Sequence, residues 1–191
     1  MKGVVLAGGA SSRFDGKPKG LALLSGRAMA LRACDMLLTV CDSVVIEAPR
    51  GVGYEALGLP LIHASPEHAG KGPLAALATG LASVEEGPVA FAPCDMPLLT
   101  REIYDRLARA SERGAYARTP RGAEPLVAIL NAGLRGALMA ALEQDSLPRT
   151  HAVLDAAGAQ AVDFADPAPF ANVNTPSDLA RLEANLRAGG R

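Results

Sequence analysis

Short apolar runs alternate along this chain with longer stretches whose apolar positions recur at helical spacing. Residues 2–7 form the first run, and its β-branched Val4 and Val5 predict a buried strand. Leu21–Leu24 is a brief apolar run closed by Ser25-Gly26. From Ala28 to Val40 the spacing of Met29, Cys34, Leu37 and Leu38 predicts a helix. Ser43–Ala48 predicts a second strand, stopped by Pro49 and Gly51, and Leu59–Ile62 a third. A breaker-rich loop over 63–73 leads into an Ala/Leu helix over 74–84, with Pro73 placed where helices begin. Pro88–Ala92 predicts a fourth strand, which runs into Pro93-Cys94-Asp95-Met96-Pro97. Thr100, as N-cap, opens a helix to about Ser111. Two strands, 115–119 and 124–130, flank the turn Pro120-Arg121-Gly122. Helices over 131–143 and 148–158, a strand over 159–164, a turn over 166–169 and a last helix over 176–187, capped by Thr175, complete the pattern.

Strand–helix alternation at this spacing predicts an α/β fold: a doubly wound, mostly parallel sheet with helices on both faces. The chain has 191 residues and carries no repeat or low-complexity block, so one domain is expected over 1–191.

Composition narrows the function. Hydrophobic residues make up 49% but aromatics only 4%, so the core is built from Ala, Leu and Val. Lys and Arg number 19 against 20 Asp and Glu, which argues against a dedicated nucleic-acid binder. Cys34, Cys41 and Cys94 form neither a C-x-x-C pair nor a disulfide framework, and the three histidines show no metal-binding spacing. Met1-Lys2 leads directly into the first strand and no apolar run reaches membrane-spanning length, so a cytoplasmic protein with no membrane partner is expected.

The chemistry concentrates after the first strand, in Gly8-Gly9-Ala10-Ser11-Ser12-Arg13, followed by Lys17 and Lys19. A strand ending in paired glycines leaves backbone N–H groups unobstructed. Hydroxyls and cations beside them suit a polyanion such as a triphosphate. The loop fits neither the Walker pattern nor G-x-G-x-x-G. A Gly-rich turn with solvated cations is the plainer alternative.

In a doubly wound sheet ligands bind beyond the strands' carboxyl ends, where the strand order reverses. The first and fourth strands are expected side by side, which would bring Asp95 to the glycine loop. A carboxylate beside a phosphate site makes electrostatic sense with a divalent cation between them, so Asp95 is a candidate Mg²⁺ ligand; the alternative is a turn cap. Gly70-Lys71-Gly72-Pro73, before a helix, is either a second anion- or base-binding loop or a plain helix start. In Asn172-Val173-Asn174-Thr175, Thr175 and Asn172 suit turn and cap roles, while Asn174 is placed to steady a metal site. Cys94 is expected as buried packing.

Several of these segments resemble a known family. Leu6-Ala7-Gly8-Gly9-x-Ser11-Ser12-Arg13-Phe14, then Lys19-Gly20-Leu21, is similar to the signature of the molybdenum cofactor guanylyltransferases, the MobA family. Gly72-Pro73-Leu74, Pro93-Cys94-Asp95-Met96-Pro97-Leu98 and Asn172-Val173-Asn174-Thr175-Pro176 resemble its later motifs, in the same order. The resemblance implies a Rossmann-like nucleotidyltransferase fold and transfer of GMP from GTP to Mo-molybdopterin, with pyrophosphate released. It implies that Leu6, Ala7, Gly8 and Gly9 line the GTP site with Ser11, Ser12, Gly72, Pro73 and Asn174. It further implies that Lys19 binds GTP, that Arg13 neutralises the triphosphate, and that Asp95 binds GTP and Mg²⁺. The nucleotide half would span about 1–100 and the acceptor half about 101–191, with Arg118, Arg121 and Asn131 as candidate acceptor contacts. Further molybdenum-cofactor proteins would be its partners.

The chain departs from the family's pattern at three points. Glu47 stands where Asn is frequent, and Glu124 where Gln or His is usual. Ala64, beside His63, replaces an acidic nucleotide contact and so removes an acceptor for a guanine N–H edge. Alternative functions are a cytidylyltransferase for the same pterin, another NTP transferase, or a non-catalytic nucleotide- or cofactor-binding carrier.

Overall fold

The alternation of buried runs and amphipathic stretches builds a seven-stranded sheet. The structure, a computed structural model, describes residues 1–8, 14 and 18–189. Its strands are β1 (Lys2–Leu6), β4 (Ser43–Glu47), β5 (Leu61–Ile62), β6 (Pro88–Pro93), β7 (Gly114–Thr119), β8 (Gly122–Asn131) and β9 (Gln160–Asp163), in the order β5-β4-β1-β6-β8-β7-β9. β1 lies parallel between β4 and β6, and β5 continues the parallel set beyond β4. β8 runs antiparallel to both β6 and β7, and β7 is parallel to β9. The reversal at β8 follows from chemistry: two residues, Pro120-Arg121, separate β7 from β8, and a tight turn can join only antiparallel neighbours.

β1 shows how the sheet is covered. Val5 packs with Ala30, Ala33, Cys34 and Leu37 of α1 (Met29–Leu37) and with Ile103, Tyr104 and Leu107 of α3 (Arg101–Ala108) in one apolar cluster. Val4 and Leu6, one position either side, join α2 (Gly72–Ala82), α4 (Arg135–Leu142) and α5 (Thr150–Ala156) on the opposite face. This two-residue alternation with both faces buried is what a doubly wound sheet demands of its strands. Gly80 of α2 sets the spacing on the second face. A Cβ there would come within 2.3 Å of Phe91 on β6, so the helix rides directly on the aromatic ring.

A third, smaller cluster joins Phe14, Leu24, Met29 and Val173, with Leu179 and Leu182 of α6 (Pro176–Gly189) against it. Leu24 belongs to a two-stranded hairpin, β2 (Leu23–Leu24) and β3 (Arg27–Ala28), turned by Ser25 and Gly26, both at positive φ. Sequence pattern misses this hairpin because two-residue strands are too short to show alternation. It also begins the helix one residue early, at Ala28. Thr175 caps α6 as expected: its hydroxyl accepts from the Asp178 N–H, and the Asp178 carboxylate accepts from the Thr175 N–H. Thr100 occupies the N-cap position of α3 but makes no side-chain cap bond; its hydroxyl pairs with Glu102 and holds that carboxyl below its ordinary range. Among the described residues, no helix is long and apolar enough to cross a membrane.

Candidate active site

The site is a shelf at the carboxyl ends of four parallel strands, tied together by backbone bonds just past each strand. Ala48 N donates to Ile62 O at 3.1 Å, Ala7 N to Glu47 O at 2.8 Å, and Cys94 N to Leu6 O at 3.0 Å. These bonds hold the chain ends of β5, β4, β1 and β6 in register. Ala7, Gly8, Glu47 and Asp95 therefore share one edge, and the expected adjacency of the first strand to the strand carrying Asp95 is observed.

Lys19 reaches this edge from a 3-10 turn, Lys19–Leu21, packed under it. Its ammonium donates to Asp95 Oδ2 at 2.9 Å and to Asn174 Oδ1 at 2.8 Å. Gly20 makes that placement feasible. A Cβ there would come within 2.6 Å of the Tyr54 hydroxyl and 3.1 Å of Cys94 Sγ. The Tyr54 hydroxyl also accepts from the Gly20 N–H at 3.2 Å. Asn174 arrives because Val173 N donates to the Asp95 carbonyl at 2.8 Å, pinning the segment before α6 against the end of β6. Three residues separated by most of the chain thus meet within hydrogen-bond distance.

Cys94 is buried beside this group, and burial pushes its thiol up to about 12. It is packing, as its sequence context indicates. The Asp95 carboxylate keeps about a fifth of its side-chain surface exposed. Asp95 with Asn174 is a hard-oxygen donor set that suits a divalent cation also coordinated by phosphates and water. Among the described residues, no cluster of three or more acidic, His or Cys side chains forms a complete protein-only metal cage.

Other candidates are placed variously. Leu6 and Ala7 are buried and Gly8 is exposed on the shelf. Gly72 and Pro73 open α2 and are exposed; α2 follows β5, so its N-terminus faces the same edge of the sheet. Gly9, Ser11, Ser12 and Arg13 lie outside the described residues. Asn131 does not belong to the site: it pairs with Pro88 at the start of β6, the far end of the sheet, and caps the next turn by accepting from Gly133 N. Arg118 is committed to Asp163 of β9 through two bonds, at 2.6 and 2.8 Å. Arg121 and Glu124, in and just after the β7–β8 turn, lie on the site's edge. Burial raises the Glu124 carboxyl, the Asp95 charge adds to the rise, and Arg121 opposes it.

The structure adds one residue to this edge that sequence reasoning marked only as a departure. Glu47 ends β4 with 5% of its surface exposed, and its Oε2 is buried with no hydrogen-bond partner among the described residues. The signal in the sequence was a carboxylate closing an apolar strand, Val44-Val45-Ile46-Glu47.

Residues 3–161 match the MobA-like NTP transferase domain. The chain belongs to the MobA-like NTP transferase family. Relatives include the molybdenum cofactor guanylyltransferase of Cupriavidus metallidurans, 34% identical over 98% of this chain and 96% of that protein. Another, from Yersinia pestis, is 34% identical over 97% and 96% of the two chains. Among solved structures, the molybdopterin-guanine dinucleotide biosynthesis protein A of Archaeoglobus fulgidus shares the fold, with a TM-score of 0.79, 22% identity, and 98% of this chain and 100% of that one covered. A CMP:2-keto-3-deoxy-manno-octonic acid synthetase complexed with CTP superposes with a TM-score of 0.76 at 15% identity, covering 99% and 100%. Within the family, this chain is a nucleotidyltransferase.

Proposed function

We propose that the protein transfers GMP from GTP to Mo-molybdopterin, forming molybdopterin guanine dinucleotide and releasing pyrophosphate. The observation that carries this reading is the meeting of Lys19, Asp95 and Asn174 beside the Leu6–Gly8 strand end. The near full-length relatives named molybdenum cofactor guanylyltransferase support guanylyl over cytidylyl transfer.

In this reading residues of about 1–100 hold the nucleotide and about 101–191 the acceptor. The backbone of Leu6, Ala7 and Gly8 lies along the base and ribose, and Gly72-Pro73 closes over them from the start of α2. Lys19, with Arg13 and the hydroxyls of Ser11 and Ser12, balances triphosphate charge. Asp95, supported by Asn174, holds Mg²⁺, which supplies charge neutralisation to the phosphates. A pterin phosphate oxygen bonds to the α-phosphorus, the bond from that phosphorus to the bridging oxygen breaks, and pyrophosphate departs with that electron pair. The attacking oxygen is already anionic, so no general base is required, and catalysis rests on positioning and charge. A cytoplasmic setting completes the reading.

The test is pyrophosphate release from GTP, Mg²⁺ and Mo-molybdopterin, run beside CTP. Release with GTP alone is expected. Binding without release would make the protein a carrier, and faster release with CTP would reassign the base.

A further inference from the structure

A phenol has a hydroxyl that must find partners when it is buried. Tyr54 has 1% of its surface exposed, and its hydroxyl ends against Gly20 and Cys94. The hydroxyl accepts from the Gly20 N–H at 3.2 Å and shares a hydrogen bond with the Cys94 thiol. Gly20 is the residue after Lys19, and Cys94 is the residue before Asp95. One oxygen therefore joins the backbone beside the ammonium to the side chain beside the carboxylate, and Lys19 and Asp95 close the same circuit at 2.9 Å.

The loop that delivers Tyr54 is braced for the task. Tyr54 opens a 3-10 turn, Tyr54–Leu57, directly after Gly53 at φ 100°. The Glu55 carboxylate accepts from Gly51 N at 3.0 Å and from Gly53 N at 3.1 Å, which fixes the approach to the ring. A Cβ on Gly53 would stand 3.3 Å from Leu21 Cδ1, so the loop meets the Lys19–Leu21 turn at a second point. Packing alone would need only the ring, and phenylalanine would serve. The oxygen answers a different need: the opening N–H groups of a helical turn have no partner within it, and Gly20, in such a turn, is buried.

We propose that Tyr54 is a positioning residue for the transfer reaction, its hydroxyl setting Lys19 against Asp95 by joining Gly20 to Cys94. The inference rests on the GMP-transfer reading above, in which these two side chains hold the triphosphate and its cation. Tyr54 touches neither, and acts through the backbone on which they stand.

The test compares the wild type with Tyr54→Phe, which deletes one oxygen and keeps the ring. Tyr104→Phe is the control: its hydroxyl is equally buried and donates to the Phe91 carbonyl at 2.8 Å, two residues short of the end of β6. Each protein is measured for kcat of pyrophosphate release from GTP, for the dissociation constant of Mg²⁺-tripolyphosphate, and for its urea midpoint. Both variants should lower the midpoint, since each loses a buried hydrogen bond. Only Tyr54→Phe should lower kcat, by about 10- to 100-fold, the scale of a small misplacement of reacting groups. It should weaken Mg²⁺-tripolyphosphate about 3- to 10-fold, yet add little to the loss in Lys19→Ala, because coupled neighbours do not add. A wild-type kcat in Tyr54→Phe overturns the inference, and so does an equal fall in Tyr104→Phe. Additive losses of tripolyphosphate affinity also overturn it, because Tyr54 would then act apart from Lys19. If Tyr54→Phe does not fold, Cys94→Ala, which cuts the link on the Asp95 side, takes its place with the same expected and overturning results. Tripolyphosphate carries no base. A wild type that binds it but releases no pyrophosphate from GTP overturns the guanylyl reading, while the cycle with Lys19→Ala still decides the inference.

Discussion

Lys19 Nζ lies 2.9 Å from Asp95 Oδ2, although the two residues stand 76 positions apart in the chain. Both side chains are about four-fifths buried, so the pair is a fixed feature of the edge between β1 and β6. In the free protein the ammonium occupies ground that a cation shared by Asp95 and phosphate would take. If Asp95 were to hold the metal as proposed, Lys19 would be released toward phosphate on substrate binding, one counter-charge exchanged for another.

Asp95→Asn tests the acidic half of that exchange. The amide still accepts from Lys19, so the fold should survive, but the largely buried ammonium loses its counter-charge, at a cost of about 1–3 kcal/mol in urea denaturation. Metal-dependent turnover should fall by at least about 10²- to 10³-fold, as when a preorganised charge-stabilising group is removed. A variant with near-normal turnover would return Asp95 to the role of a turn residue.

Lys19→Ala tests the basic half. Charge-assisted contacts to phosphate are among the stronger hydrogen bonds, and the variant should bind GTP about 10- to 100-fold more weakly by calorimetry. Lys19→Arg keeps the charge but replaces a compact ammonium with a wider, planar guanidinium between Asp95 and Asn174. It should recover only part of the loss. Full affinity in Lys19→Ala would mean that the ammonium serves Asp95 and Asn174 alone.

Glu47 makes stability depend on pH. Burial pushes its carboxyl up to about 7, against an ordinary value of 4.5, and His63 opposes the rise only in part. Between those two values the native state binds more proton than the unfolded state, so stability falls as pH rises through the window and levels above it. The full effect is about 3 kcal/mol. Glu47→Gln cannot ionise, so its stability relative to wild type should grow by about that amount between pH 4.5 and pH 8. A difference that does not change with pH would show the carboxyl to be solvated in the folded protein.

Most of the sheet was legible in the sequence because buried parallel strands announce themselves: Val4-Val5-Leu6 and Val89-Ala90-Phe91-Ala92 are apolar on both faces. Pairing of β1 with β6 followed from the rules of doubly wound sheets. The hairpin at 23–28 was illegible because its pairing is local and brief, and the geometry comes from two positive-φ turn residues. Asn131 was misplaced for a different reason. Its residue type suits a ligand contact and a cap equally, and only the antiparallel direction of β8 puts it at the far end of the sheet. Glu47 was visible as a letter that broke the family's pattern. That its oxygen would be buried without a donor depends on the bare Gly8 beside it, which no spacing rule encodes.

Gly80 carries the last prediction. Glycine in a helix interior costs roughly 0.5–1 kcal/mol relative to alanine, so on local propensity Gly80→Ala would stabilise α2. The tertiary contact reverses the sign. The added Cβ would stand 2.3 Å from Cε1 and 2.9 Å from Cζ of Phe91, a ring fully buried between α2 and β6 with no flexible end to swing aside. Overpacking of this kind costs typically 1–3 kcal/mol, which outweighs the helical gain. Gly80→Ala should therefore lower the urea midpoint while leaving the dissociation constant for GTP unchanged, because Gly80 lies in the interior of α2, away from the carboxyl edge that carries Asp95. An equal or higher midpoint would show that α2 can lift away from the sheet at little cost, and that the close approach at Phe91 does not fix the helix's position.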